Sequence, residues 1–189
     1  MLDICLLGTG GMMPMPSRFL TAMLARLNGR LALIDCGEGT QVTMKMLGWG
    51  FKAIDVICFT HFHADHISGL PGLLLTIGNA GRTEPLMLIG PVGLQRIVEV
   101  LTLIAPELPF SIEYIELTQD APNPISVGAF EIHHCPADHM VKCFAYRIDL
   151  KRKGKFDVKK AERLKLPKPL WNKLQKEGSV EHEGKTYTA

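Results

Sequence analysis

Short apolar runs recur along most of the chain, broken by glycine, proline and polar residues. β-Branched or alternating apolar segments predict strands at residues 2–7, 20–27, 31–35, 55–60, 86–89, 112–117, 130–134 and 143–148. Asn28-Gly29 separates the second and third of these and is a strong hairpin signal. The 55–60 run is almost wholly apolar, as expected of a buried strand. Helical spacing predicts helices over 41–47, from Ile67 to about Asn79, and over 91–105, where Leu94, Ile97, Val98, Leu101 and Ile104 recur. Pro71 is tolerable in a first helical turn. Strands mixed with helices, one pair of them antiparallel, predict an α/β sandwich of mixed sheets with helices outside. A purely parallel, doubly wound sheet fits less well.

The pattern changes near Asp149. Beyond it the chain is lysine-rich, carries Pro167 and Pro169, and offers short helices at 158–164 and 170–177. Two regions are therefore expected, 1–148 and 149–189. The formal charge of +2 hides an asymmetry: the first region sums to −4 and the second to +6. Within 151–176, 11 basic residues face 2 acidic ones. Such a run is either a solvated surface or a contact for a polyanion.

An apolar share of 47% and a charged share of 21% exclude wholesale disorder, collagen and coiled coil. No apolar run approaches the roughly 18 residues of a membrane span, so no membrane is expected as a partner. Cys5, Cys36, Cys58, Cys135 and Cys143 form no C-x-x-C pair, which suits reduced thiols. Asp3 stands where a secretory leader would carry positive charge. A cytoplasmic protein is the expectation.

The sharpest chemistry lies in Thr60-His61-Phe62-His63-Ala64-Asp65-His66, directly after a predicted buried strand and before a helix. A lone histidine is more often a packing residue. Three histidines and an aspartate in this spacing point to metal binding. His61 and His63 share one side of an extended segment and can hold one ion. Asp65 and His66 follow the turn and can face a second. Imidazole with carboxylate suits zinc, and also iron or manganese. The best further ligand is His139, ahead of the last predicted strand of the first region; His133, His134 and Asp138 compete with it. Asp35 and Glu38 either orient the histidines or bond only within their loop. Ser17 and Arg18 are candidates to face a substrate phosphate.

The H-x-H-x-D-H run after an apolar strand resembles the signature of metallo-β-lactamase-fold hydrolases. Further segments resemble one branch, ribonuclease Z, which trims the 3′ trailer of precursor tRNA: Leu7-Gly8-Thr9-Gly10-Gly11, Asp35-Cys36-Gly37-Glu38-Gly39-Thr40-Gln41, Ser68-Gly69-Leu70-Pro71-Gly72-Leu73-Leu74 and Gly90-Pro91-Val92-Gly93. Asp138-His139 with Phe144-Ala145-Tyr146-Arg147-Ile148 resembles the family's third ligand region. The resemblance implies the αββα fold, of which this chain would form the N-terminal half. It implies one zinc on His61, His63 and His139, another on Asp65 and His66, and Asp65 as general base on the attacking water.

The resemblance also makes the basic segment a protruding arm that grips tRNA, with Lys151, Arg152, Lys153, Lys155, Lys159 and Lys160 as candidate contacts. Pro167-Lys168-Pro169-Leu170-Trp171 departs from the Gly-Pro pair that relatives often show there. A homodimer is implied too. So is a second half, with an aspartate bridging the metals, a final histidine ligand and a histidine assisting the leaving group. The expectation is therefore a fragment of a zinc-dependent endoribonuclease. The alternatives are a hydrolase of small phosphodiesters or sulfate esters, and a non-catalytic RNA-binding half.

Overall fold

A computed structural model describes residues 2–13, 15–105, 107–149 and 156–188. The chain divides into two units at residue 150, two residues beyond the boundary that composition suggests.

In the first unit the apolar runs form one six-stranded sheet: β1 (Leu2–Gly8), β2 (Ala22–Leu27), β3 (Arg30–Ile34), β4 (Ile54–Cys58), β5 (Leu86–Pro91) and β6 (Ile112–Leu117), in that spatial order. β1 to β3 are antiparallel and β3 to β6 parallel, the mixed sheet that the hairpin signal predicts. Asn28 and Gly29 make the β2–β3 turn with positive φ values of 52° and 81°, a backbone that those two residue types tolerate. A second sheet follows: β7 (Ile125–Val127), β8 (Phe130–Ala137) and β9 (Cys143–Asp149), antiparallel throughout.

Alternation along the central strands explains the layering. Leu31, Leu33, Leu86 and Leu88 join one buried cluster with Met44, Leu70, Leu73, Ile77, Leu94 and Val98. The latter six belong to α1 (Thr40–Met46), α3 (Leu70–Asn79) and α4 (Leu94–Leu101). Ala32, Val56, Cys58 and Ile89 face the other way and pack with Phe130 and Ile132 of the second sheet. The order is helices, sheet, sheet.

The helix predicted from Ile67 to about Asn79 is α3, which starts three residues later, at Leu70; Ile67 closes a separate short helix, α2 (Ala64–Ile67). The break lies where two backbones cross. Gly69 N–H donates to Cys36 O at 2.9 Å, and Cys36 N–H to His66 O at 2.7 Å. A Cβ on Gly69 would stand 2.1 Å from Gly37 O, and one on Gly37 would stand 2.4 Å from Asp65 O. Only glycine fits either place. The second unit holds α5 (Val158–Arg163), α6 (Lys168–Glu177) and a hairpin of β10 (Ser179–His182) and β11 (Lys185–Thr188). Asp157 caps α5 by accepting from Lys160 N–H at 2.9 Å. Leu166, Leu174 and Val180 form its core.

The crossing gives a stability prediction. Gly69→Ala forces backbone apart and should cost about 1–3 kcal/mol or more, the cost of overpacking. Gly50→Ala, with open space around its Cβ position, should shift the urea midpoint little. Equal midpoints for the two variants would contradict this account of the break.

Candidate metal centre

The site gathers where β3 and β4 end side by side. β3 runs into Asp35, which sits in the left-handed region at φ 59° and is 2% exposed. Aspartate is among the few non-glycine residues that tolerate this region. The turn aims its carboxylate at the loop after β4. Oδ1 accepts from Thr60 N–H at 2.8 Å. Oδ2 lies 2.8 Å from both Thr60 Oγ1 and His66 Nδ1. Thr60 Oγ1 in turn lies 2.9 Å from His61 Nδ1. The buried charge is thus surrounded by donors, which offsets its desolvation.

His61, His63 and His139 come together, with one ring nitrogen of each lying within 4.8 Å of the others. His61 Nε2 is 3.0 Å and His139 Nε2 3.4 Å from His63 Nδ1. His61 is buried, His63 half-buried and His139 exposed, so the group runs from the core to solvent. Three converging imidazole nitrogens suit zinc and similar divalent ions. Burial, then the neighbouring charge of His66, lowers the pKa of His61, which favours the neutral ring, the form that can donate a lone pair.

Asp65 and His66 flank the trio on α2. Asp65 is buried, and its Oδ2 is 3.5 Å from His66 Nε2. The His66 ring centroid is 4.1 Å from that of His61. At His66 burial opposes charge, but the hydrogen bond to Asp35 and the charges of Asp35 and Asp65 raise its pKa.

His139 arrives from the second sheet, on the β8–β9 connection. Phe144 N–H donates to Thr60 O at 3.0 Å and Tyr146 O–H to Phe59 O at 2.8 Å. These bonds moor β9 to the end of β4. Burial raises the Tyr146 pKa, so its hydroxyl stays a donor.

Other sequence candidates fall elsewhere. His133 pairs with Asp149 at 3.1 Å, and His134 Nε2 lies 3.1 Å from Pro122 O. Neither belongs to the cluster, and Asp138 is exposed outside it. Glu38 is exposed and contributes a backbone carbonyl to Leu20 N–H; Asp35 is the carboxylate that reaches the histidines. Ser17 and Arg18 are exposed. Arg18 donates through Nη2 to Thr9 O at 3.0 Å and through Nε to Thr9 Oγ1 at 3.3 Å. Among the described residues neither bonds to the cluster. Lys159 and Lys160 are exposed on α5. Lys151, Arg152, Lys153 and Lys155 lie outside the described residues.

Sequence reasoning did not single out Thr60, Tyr146 or Cys143. Cys143 Sγ lies 4.0 Å from His61 Nδ1. The only forward signal for Thr60 was its place beside His61.

The chain is similar to several known proteins. A family model described as Anti-Pycsar protein Apyc1 matches residues 2–99. Curated relatives named ribonuclease Z match the whole chain. The one from Agathobacter rectalis is 56% identical over 188 residues, and the one from Clostridium kluyveri is also 56% identical over 188. The chain spans 62% of the length of each. Human tRNase Z, short form, superposes with a TM-score of 0.69 at 29% identity, over 79% of this chain and 65% of that one. The metallo-β-lactamase-fold protein YhfI of Bacillus subtilis gives 0.63 at 21% identity, over 78% and 58%, a likeness of fold. The chain has the metallo-β-lactamase fold and belongs to the family that the Apyc1 model describes.

Proposed function

We propose that the protein is a zinc-dependent endoribonuclease that removes the 3′ trailer of precursor tRNA. The observation that carries this is the convergence of His61, His63 and His139 beside buried Asp65, in a chain matched from end to end by ribonuclease Z relatives. In this reading those three histidines hold one zinc, and Asp65 and His66 contribute to a second. Zinc, when bound, polarises the phosphodiester and makes water easier to deprotonate.

Asp65 takes the proton from the attacking water as its oxygen bonds to phosphorus. The bond from phosphorus to the 3′ oxygen breaks, and the tRNA keeps a 3′ hydroxyl. Buried His61 holds its side of the site, and its lowered pKa favours the neutral ring. Exposed His139 leaves the mouth open to a macromolecular substrate.

Lys159 and Lys160 meet tRNA phosphates, together with Lys151, Arg152, Lys153 and Lys155. Such contacts supply affinity without reading sequence. Arg18, pinned to Thr9, and Ser17 also face substrate phosphate. We place the working enzyme in the cytoplasm, as its unpaired-cysteine pattern suggests, and as a homodimer, as the resemblance implies. No described helix is long and apolar enough to cross a membrane.

A second reading that the sequence leaves open is hydrolysis of small phosphodiesters. Turnover of a chromogenic phosphodiester without cleavage of precursor tRNA would select it.

Asp65→Ala should lower cleavage of 3′-extended precursor tRNA by about 10²–10⁴-fold, the usual contribution of a general base, with an unchanged urea midpoint. Cleavage at the original rate would exclude Asp65 as the base. A chelator should stop cleavage and added zinc restore it. Replacing both Lys159 and Lys160 with alanine should weaken tRNA binding and flatten its log–log salt slope by roughly 1–2. Hydrolysis of a small phosphodiester should be spared. Loss of both activities together would contradict a tRNA contact on α5.

A further inference from the structure

A neutral imidazole has one N–H and one lone pair, and a metal needs the lone pair. Two histidines must therefore carry their hydrogen on the nitrogen that faces away from the site. The structure contains a device that dictates this. His61 presents Nε2 to the cluster and turns Nδ1 to Thr60 Oγ1, 2.9 Å away. The Thr60 hydroxyl has a single hydrogen, and Asp35 Oδ2, 2.8 Å off, can only accept it. Thr60 Oγ1 must then accept from His61, which puts the hydrogen on Nδ1 and frees Nε2. The same Asp35 oxygen lies 2.8 Å from His66 Nδ1, which puts that hydrogen on Nδ1 and frees His66 Nε2. The carboxylate cannot turn away, because Oδ1 is held by Thr60 N–H at 2.8 Å.

We propose that Thr60 is a positioning residue that relays Asp35 to His61, so that one carboxylate oxygen sets the tautomer of both His61 and His66. Thr60 supplies no ligand and touches no substrate; its role is to choose which nitrogen His61 offers. The proposal rests on the metal-site reading above, but it is a property of the protein before any ion binds. The two can therefore fail separately.

The hydrogen-bond logic gives each variant its own pattern. Thr60→Val keeps the backbone N–H to Asp35 and deletes the hydroxyl, so only His61 loses its instruction. Thr60→Ser restores it. Asp35→Asn, with its oxygen held by Thr60 N–H, presents an NH₂ where Oδ2 was. Thr60 must then donate to His61, and His66 Nδ1 must accept, so both rings move their hydrogen to Nε2.

The test is a long-range ¹H–¹⁵N correlation of the histidine rings in metal-free, ¹⁵N-labelled protein at mildly alkaline pH. Zinc affinity of each variant is measured in parallel. The expected result is Nδ1–H for His61 and His66 in the native chain. Thr60→Val should disturb His61 alone and bind zinc about 10–100-fold more weakly, the usual effect of losing such a partner. Thr60→Ser should behave as the native chain does, and Asp35→Asn should switch both rings. Nδ1–H persisting at His61 in Thr60→Val, or native zinc affinity in that variant, overturns the proposal. If the native chain shows both Nδ1–H rings yet binds no zinc, the metal-site reading fails while the relay stands. Should Asp35→Asn not fold, the Thr60 pair decides alone.

Discussion

A carboxylate buried at a strand end has to be met by donors, and at Asp35 those donors belong to the functional loop. Asp35 N–H is itself held by Cys58 O at 2.8 Å, so the residue ties the end of β3 to the end of β4 through its backbone and its side chain. An unpaired charge there would cost several kcal/mol. The loop after β4 therefore has little freedom to leave. Its histidines are arranged by the same bonds that make burial of the carboxylate tolerable.

The rest of the first unit converges on this point. Parallel β3 and β4 bring their C-terminal ends together, the place where α/β sheets present ligand sites. The crossing of Gly37 and Gly69 clamps the loop after β3 to the start of α3. The second sheet packs against the first through Phe130 and Ile132, and its β9 is moored to Phe59 and Thr60. Packing energy from both layers thus holds His139 opposite His61 and His63.

Layering, the mixed sheet and most elements were legible because each follows from local periodicity. His61 and His63 were legible for the same reason, being two apart on one extended segment. His139 is 76 residues from His63, and spacing alone left it in competition with His133 and His134; resemblance singled it out. Asp35 could not be separated from Glu38, because only the left-handed turn at Asp35 decides which carboxylate points inward. Thr60 carried no signal beyond its place beside His61, since its role depends on a partner 25 residues away. The β10–β11 hairpin was missed because its strands, Ser-Val-Glu-His and Lys-Thr-Tyr-Thr, are short and largely polar. Its turn is Glu183-Gly184, at φ 49° and 72°, rather than the Asn-Gly or Asp-Gly that marks hairpins in sequence. The helix expected from Ile67 starts only at Leu70, because apolar spacing does not register the backbone crossing at Gly69.

The central claim is that this hydrogen-bonded frame holds three histidines ready for one ion. Anomalous scattering at the zinc edge, from crystals of the zinc-loaded protein, tests it most directly. The account predicts a peak bounded by His61 Nε2, His63 Nδ1 and His139 Nε2. Zinc bound only elsewhere, at His133 or His182 for instance, or no zinc at saturating concentration, would contradict it.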